Sequence, residues 1–186
     1  MKLVVTEFVS LDGVMEAPGG EPDYPHSGWV EPFFSDQLGE YKLAEQLAAD
    51  VLLLGRVMYK SFFEAWPERE GPMADKINSM RKVVVSNTLE SSPWTDTSVI
   101  GGADVMERIA ALKAEGDGVI LVIGSRTLVH GLFAAGLVDE LHVQVFPLIL
   151  GSGKRLYRDT PDALPLELVE SVTLDNGVVA QAYRVT

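Results

Sequence analysis

Cysteine is absent from the 186-residue chain, which removes disulfides, thiolate metal sites and cysteine nucleophiles together. Histidine is scarce: His26, His130 and His142 stand at unrelated spacings, so no zinc-binding pattern forms and no metal site is expected. Cations are also short, 15 Lys and Arg against 27 Asp and Glu, for a formal net charge of −12. Affinity for nucleic acid comes mainly from cations that neutralise phosphates, so nucleic acid is not an expected partner. Any bound anion must instead be held by local features: a helix N-terminus, backbone N–H groups and one or two placed arginines. Long apolar runs are missing too. The N-terminal one is broken at Glu7, too short for a signal-peptide core or a membrane span, and a cytoplasmic protein without membrane contact is expected.

What remains is the composition of a folded globular protein, 47% hydrophobic and 23% charged. No repeat or linker interrupts it, and the length predicts a single domain over 1–186. LVVTEFVS (3–10), VLLLG (51–55), KVVVSN (82–87), TSVIGG (97–102) and VILVIG (119–124) are short and rich in β-branched residues, as buried strands are. Helices are predicted over 35–49 with Ser35 as N-cap, within RVMYKSFFEAW (56–66), over 105–113 behind a capping-box-like Asp104 and Glu107, and over 128–135 closed by Gly136. A polar, proline-containing connector follows Trp66. A longer strand over 141–150 ends in Gly-Ser-Gly, and a hairpin about Asp175-Asn176-Gly177 closes the chain. This alternation predicts a three-layer αβα fold on a mostly parallel mixed sheet, with antiparallel C-terminal strands.

Ligands of parallel α/β sheets lie at the carboxyl ends of the strands. Those ends read Ser10-Leu11-Asp12-Gly13, Gly55-Arg56, Ser86-Asn87-Thr88, Gly101-Gly102 and Gly124-Ser125-Arg126-Thr127. Four of the five carry glycine, which lets a backbone approach a ligand closely. Each alone is more often an ordinary tight turn than a binding element; together they offer a dinucleotide several contacts along one sheet edge. At Gly124-Ser125-Arg126-Thr127 an apolar strand stops and a helix begins, which makes either an ordinary strand-to-helix turn or a cradle whose free N–H groups and partial positive charge suit a phosphate. No Gly-x-Gly-x-x-Gly follows the first strand, so the common dinucleotide fingerprint is absent.

The segments VSLDGV, LLLGRVMY, VVVSNTL, VILVIGSRTL and GLVDELHVQVFPLILGSGKRLY together resemble the dihydrofolate-reductase-like proteins. More narrowly, they are similar to the group of the reductase domain of the bifunctional riboflavin-biosynthesis deaminase/reductase. The resemblance implies a reductase that takes hydride from NADPH, and a homodimer, since such proteins commonly pair. It implies pyrophosphate contacts from Gly124, Ser125, Arg126, Thr127 and Leu128. Gly55, Arg56, Ser86, Asn87 and Thr88 fall near the adenosine half, with Arg56 facing a 2′-phosphate. Asp12 becomes the catalytic candidate beside the nicotinamide. Delivery of a proton to the reduced group falls to Asp12, His26, Asp36 or Glu40. His26 and Trp29, in the long loop EAPGGEPDYPHSGW, suit the covering of a planar heterocycle, or Trp29 anchors that loop on the core while His26 is solvated.

Four positions depart from the resemblance: Asn87 where arginine is common, Ser125 where a second glycine is common, Met58 where threonine is common, and Ile123 where the riboflavin enzymes hold substrate with an acid. The substrate expected is therefore a small planar heterocycle or carbonyl compound. The alternative is a nucleotide-binding protein of the same fold without turnover.

Overall fold

The computed structural model describes residues 1–186. Strands β1 (Lys2–Ser10), β2 (Val51–Gly55), β3 (Arg81–Val85), β4 (Thr97–Ile100), β5 (Val119–Ile123), β6 (Glu140–Phe146), β7 (Leu166–Thr173) and β8 (Val179–Val185) are joined through helices α1 (Asp36–Ala48), α2 (Arg56–Ala65), α3 (Pro72–Ser79), α4 (Val105–Lys113) and α5 (Arg126–Ala134). The strands form one sheet in the order β4-β3-β2-β5-β1-β6-β8-β7. β2 pairs in parallel with β3 and β5, and β3 with β4, whereas β8 pairs antiparallel with both β6 and β7. The fold is the α/β fold read from the alternation, with antiparallel C-terminal strands. No helix is long and apolar enough to cross a membrane. Packing divides the chain into two compact units, 1–5 with 42–139 and 6–41 with 140–186.

In the first unit, Val51 to Leu54 are all buried, which is why β2 reads as an unbroken apolar run rather than an alternating one. Leu52, Leu54, Tyr59, Ile77, Val84 and Leu121 share its core. The register sets Val51 against Arg81 on one side and Ile120 on the other, so the carboxyl ends of β2, β3 and β5 finish level. α3 lies where a connector was expected. Pro72 occupies its first turn, where a missing N–H costs nothing, and Ala74 and Ile77, three apart, supply its buried face. The Asp104 and Glu107 pair opens α4 without forming a capping box: Asp104 sits at φ −92°, ψ 14° and its side chain makes no capping bond. A cap side chain reaches the first-turn amides from an extended backbone, which this is not.

Lys82 is the unexpected resident of this core, fully buried on β3. Its ammonium donates to the carbonyls of Asn78 (2.9 Å), Met80 (2.5 Å) and Thr95 (3.1 Å), and stands 4.7 Å from the centre of the Trp94 ring. The charge thus meets carbonyls at the C-terminal end of α3, where cations are favoured.

The second unit is built around Phe146, which takes Phe8 (5.2 Å), Trp29 (5.2 Å) and Phe33 (5.8 Å) edge to face. Ser35 caps α1 through the Leu38 amide (3.2 Å), as its position predicted. Gly177, at φ +81°, makes the turn between β7 and β8. β6 stops at Phe146, short of the expected Leu150. Pro147 has no N–H to continue a ladder, and the backbone beyond it is claimed by residues 11–16.

Replacing Lys82 by Met keeps the stem and removes the ammonium. Three carbonyls then lose their donor, and Lys82→Met is expected to cost about 1–3 kcal/mol, the scale of an unsatisfied buried polar group. Chemical denaturation measures it; an unchanged midpoint would show that the ammonium contributes nothing there.

Candidate functional site

In the first unit, the level strand ends deliver two helix N-termini side by side. Gly55 closes β2 and is the N-cap of α2; Ser125 follows β5 and is the N-cap of α5. Gly55 has no side chain and the Ser125 hydroxyl makes no bond to α5, so neither first turn is closed by a side-chain cap. The Ser125 hydroxyl turns sideways instead. It accepts from the Gly55 amide (2.9 Å) and donates to the Ile123 carbonyl (3.1 Å), tying the turn after β5 to the turn after β2. Gly124 holds φ +62°, a left-handed conformation that lets the chain fold over from strand to helix. Arg126 and Thr127 are accessible at the start of α5, while the Leu128 side chain is buried, which leaves only its backbone for a ligand.

Beside these turns is a cavity of about 310 Å³ whose walls include Arg56, Ser86, Asn87, Thr88, Gly102 and Val105. No acidic side chain lines it, in a molecule of net charge −12. Its polar walls are fixed by their own bonds. The Ser86 hydroxyl accepts from the amides of Thr88 (3.1 Å) and Leu89 (2.9 Å), and Asn87 Oδ1 accepts from the Gly102 amide (2.8 Å). With Oδ1 engaged, the amide nitrogen is the end of Asn87 that remains for a ligand. A Cβ on Gly101 would run into the Ser86 carbonyl oxygen, a backbone atom that cannot swing aside as the Asn87 side chain can, so glycine is required where β4 ends. The structure therefore brings Gly55-Arg56 and Ser86-Asn87-Thr88 to one place, as read. Gly102 and Val105 were not read as lining residues; the Gly101-Gly102 pair after β4 was the signal for them.

In the second unit, Asp12 is enclosed by donors. Oδ1 accepts from the Ser10 hydroxyl (2.6 Å) and the Leu150 amide (3.1 Å); Oδ2 accepts from the Gly151 amide (2.9 Å) and lies 3.5 Å from an Arg155 guanidinium nitrogen. The Ser10 hydroxyl, followed by the two backbone amides, lowers its pKa from 3.8 to about 2 against the opposing effect of desolvation. Asp12 is therefore a carboxylate near neutrality, with its lone pairs in use.

Around it the loops are fastened as well. Glu16 pairs with the Lys154 ammonium and accepts from the Lys154 amide (2.8 Å), and the Tyr24 hydroxyl donates to the Ser152 carbonyl (2.7 Å). Trp29 is 5% exposed, its indole N–H given to the Glu16 carbonyl (2.8 Å) and its ring to Phe146. Of the two rings read as a heterocycle cover, Trp29 thus lies in the core and anchors the loop, because an indole buries more apolar area than any other side chain nearby. His26 stays exposed, its ring 5.5 Å from that of Tyr24. Asp36 and Glu40 are exposed on α1. Nowhere do three His, Asp or Glu side chains group as metal ligands.

The Asp12 bonds carry a pH signature. Its folded pKa, about 2, lies below the 3.8 of an unfolded carboxyl, so its stabilisation is present above 3.8 and is lost as pH falls through about 2. Asp12→Asn is expected to melt below the native protein near neutrality, with the gap narrowing as pH falls from about 4 towards 2. Thermal melts across that range test this; a gap independent of pH would remove the ionised carboxylate from the account.

Comparison with known proteins extends the geometry. Residues 1–180 match the family described as RibD C-terminal domain. The chain is 27% identical over 192 residues to the uncharacterized protein YyaP of Bacillus subtilis (strain 168), across 98% of this chain and 94% of that protein. Among solved structures it is similar to a Shewanella sp. PV-4 protein named for riboflavin biosynthesis, with TM-score 0.74, 20% identity and coverage of 100% and 99% of the two chains. It is also similar to the dihydrofolate reductase of Enterococcus faecalis, solved with NADP(H), with TM-score 0.65, 16% identity and coverage of 100% and 96%. At these identities the solved structures establish the dihydrofolate-reductase-like fold. With a family match over residues 1–180, from β1 through β7 to the start of β8, the chain belongs to the RibD C-terminal domain family.

Proposed function

We propose that this protein is an NADPH-dependent reductase of a small planar heterocycle or carbonyl compound. One observation carries the reading: an acid-free cavity walled by Arg56, Ser86, Asn87 and Thr88 lies at the start of α2, which has no side-chain cap and to which Ser125 ties the equally uncapped start of α5. Helix ends of this kind receive phosphates, and a cavity of about 310 Å³ is of ligand-pocket size. The donor set fits the cofactor. Arg56 meets the 2′-phosphate; Ser86, Asn87 and Thr88 hold the adenosine half; Gly124 to Leu128 offer the start of α5 to the pyrophosphate. The NADP(H) held by the Enterococcus faecalis dihydrofolate reductase, which shares the fold, supports the choice of cofactor.

NADPH supplies the hydride when bound; the protein must orient it and provide for the accompanying proton. Asp12 carries no proton to give near neutrality, so its part is positional: it holds the chain at 150–151 against 10–12. His26, exposed and flanked by Tyr24, is the substrate-side group we assign to the second unit, with Trp29 supporting its loop from within the core. Ile123, apolar at the end of β5, favours a substrate other than a ribosylamino-pyrimidine that needs an acid there.

The engagement of Asp12 also favours a second reading, nucleotide binding without turnover. The two separate cleanly: loss of NADPH absorbance with a panel of planar heterocycles and carbonyl compounds indicates catalysis, and a raised melting temperature alone indicates binding. No shift with NADPH or NADH would overturn both. Arg56→Ala is expected to weaken NADPH about tenfold or more while barely changing NADH, since a charge-assisted bond contributes about 1.5–3 kcal/mol. Titration calorimetry with both cofactors decides it, and equal losses would take the 2′-phosphate away from Arg56.

A further inference from the structure

The turn after β5 has a neighbour that a phosphate site does not need. Met58, the third residue of α2, lays its side chain over Gly124: a Cβ on Gly124 would stand 3.2 Å from Met58 Sδ, 3.5 Å from Cγ, and closer still to the terminal methyl. The methionine thus fills the volume that a side chain at 124 would claim, on a residue held at φ +62°. The two turns are joined twice, once by the polar bond from Ser125 to Gly55 and once by this apolar contact. A thioether and its methyl offer nothing to a phosphate oxygen and exclude the water that would solvate it. They are also cheap to move, because methionine is unbranched with three rotatable bonds.

We propose that Met58 is an affinity-setting gate on the dinucleotide site, a side chain that must swing off Gly124 before a diphosphate can settle at the start of α5. The proposal rests on the reading of these turns as the pyrophosphate site. Met58 belongs to no set of binding groups: its contribution is negative, a displacement that every binding event must make. Changing one side-chain rotamer costs enough to weaken binding roughly three- to tenfold. The gate also separates ligands, because one without a diphosphate can enter the cavity beside Arg56 and leave Met58 in place.

Met58 also packs against the core of the first unit, so a truncated variant melts lower and melting cannot report affinity. The test is therefore calorimetric titration of the full chain, with NADPH and with 2′-phosphoadenosine, which lacks the diphosphate. Met58→Ala is the direct variant, and Met58→Val keeps more of the core contact with a side chain too short to lie on Gly124. Either is expected to tighten NADPH by about three- to tenfold and leave 2′-phosphoadenosine unchanged. Unchanged or weaker NADPH binding overturns the gate, as does an equal gain for both ligands, which would indicate a general opening of the cavity. If the native chain binds 2′-phosphoadenosine but the variants bind NADPH no more tightly than the native chain does, the gate fails and the adenosine cavity stands. Failure of both ligands on every protein removes the dinucleotide reading itself.

Discussion

Parallel register is the constraint on which the first unit depends. Once Val51 stands beside Arg81 and Ile120, the carboxyl ends of three strands must finish at one level, and the backbone leaving each must turn at the same rim. The strand interiors are buried and apolar apart from Lys82, whose ammonium is taken up by three carbonyls, so chemistry is confined to those exits. Two exits begin helices, and both start without a side-chain cap. The rim of this acidic molecule thus carries the positive ends of aligned peptide dipoles beside Arg56, without a basic surface around it.

The tie between Ser125 and Gly55 gives that rim its shape. A second glycine at 125 would leave the two turns joined only by packing; the serine hydroxyl spends its donor on Ile123 and its acceptor on Gly55. Serine is the usual residue for capping a helix, yet here the hydroxyl is diverted to hold neighbouring strands in step, and the helix amides are left to other partners. Met58 rests on the same turn, at Gly124. Polar fastening and apolar cover therefore act on three consecutive residues, Ile123, Gly124 and Ser125.

The second unit solves a different problem. A loop rich in Pro, Gly and acids has little apolar surface of its own, and it is ordered by a few strong points: Trp29 in the core, Glu16 on Lys154, Tyr24 on Ser152, and Asp12 on the chain at 150–151. The same carboxylate that reads as a catalytic acid in sequence is, in place, an acceptor surrounded by donors. That environment determines its protonation, and only folding creates it.

Strand runs, the helix behind Gly55, the N-cap at Ser35 and the turn at Gly177 were legible because each is decided by neighbours in sequence: period, propensity and a left-handed turn. The alternation of those elements also sufficed for the fold class, and the strand-end residues for the rim. What sequence could not settle was decided by partners far along the chain. α3 has only a weak pattern of its own and is stabilised by burial of Ala74 and Ile77; Lys82 looks like a strand-edge cation until Asn78, Met80 and Thr95 turn three carbonyls on it. β6 ends early because residues 11–16 compete for the backbone after Pro147, and Met58 meets Gly124 only when two strands 70 residues apart at their ends lie side by side. Local physics thus determined which elements exist and where they turn, whereas long-range packing decided which polar groups are buried, ionised or left for a ligand, since those depend on what the tertiary structure brings within a few ångströms.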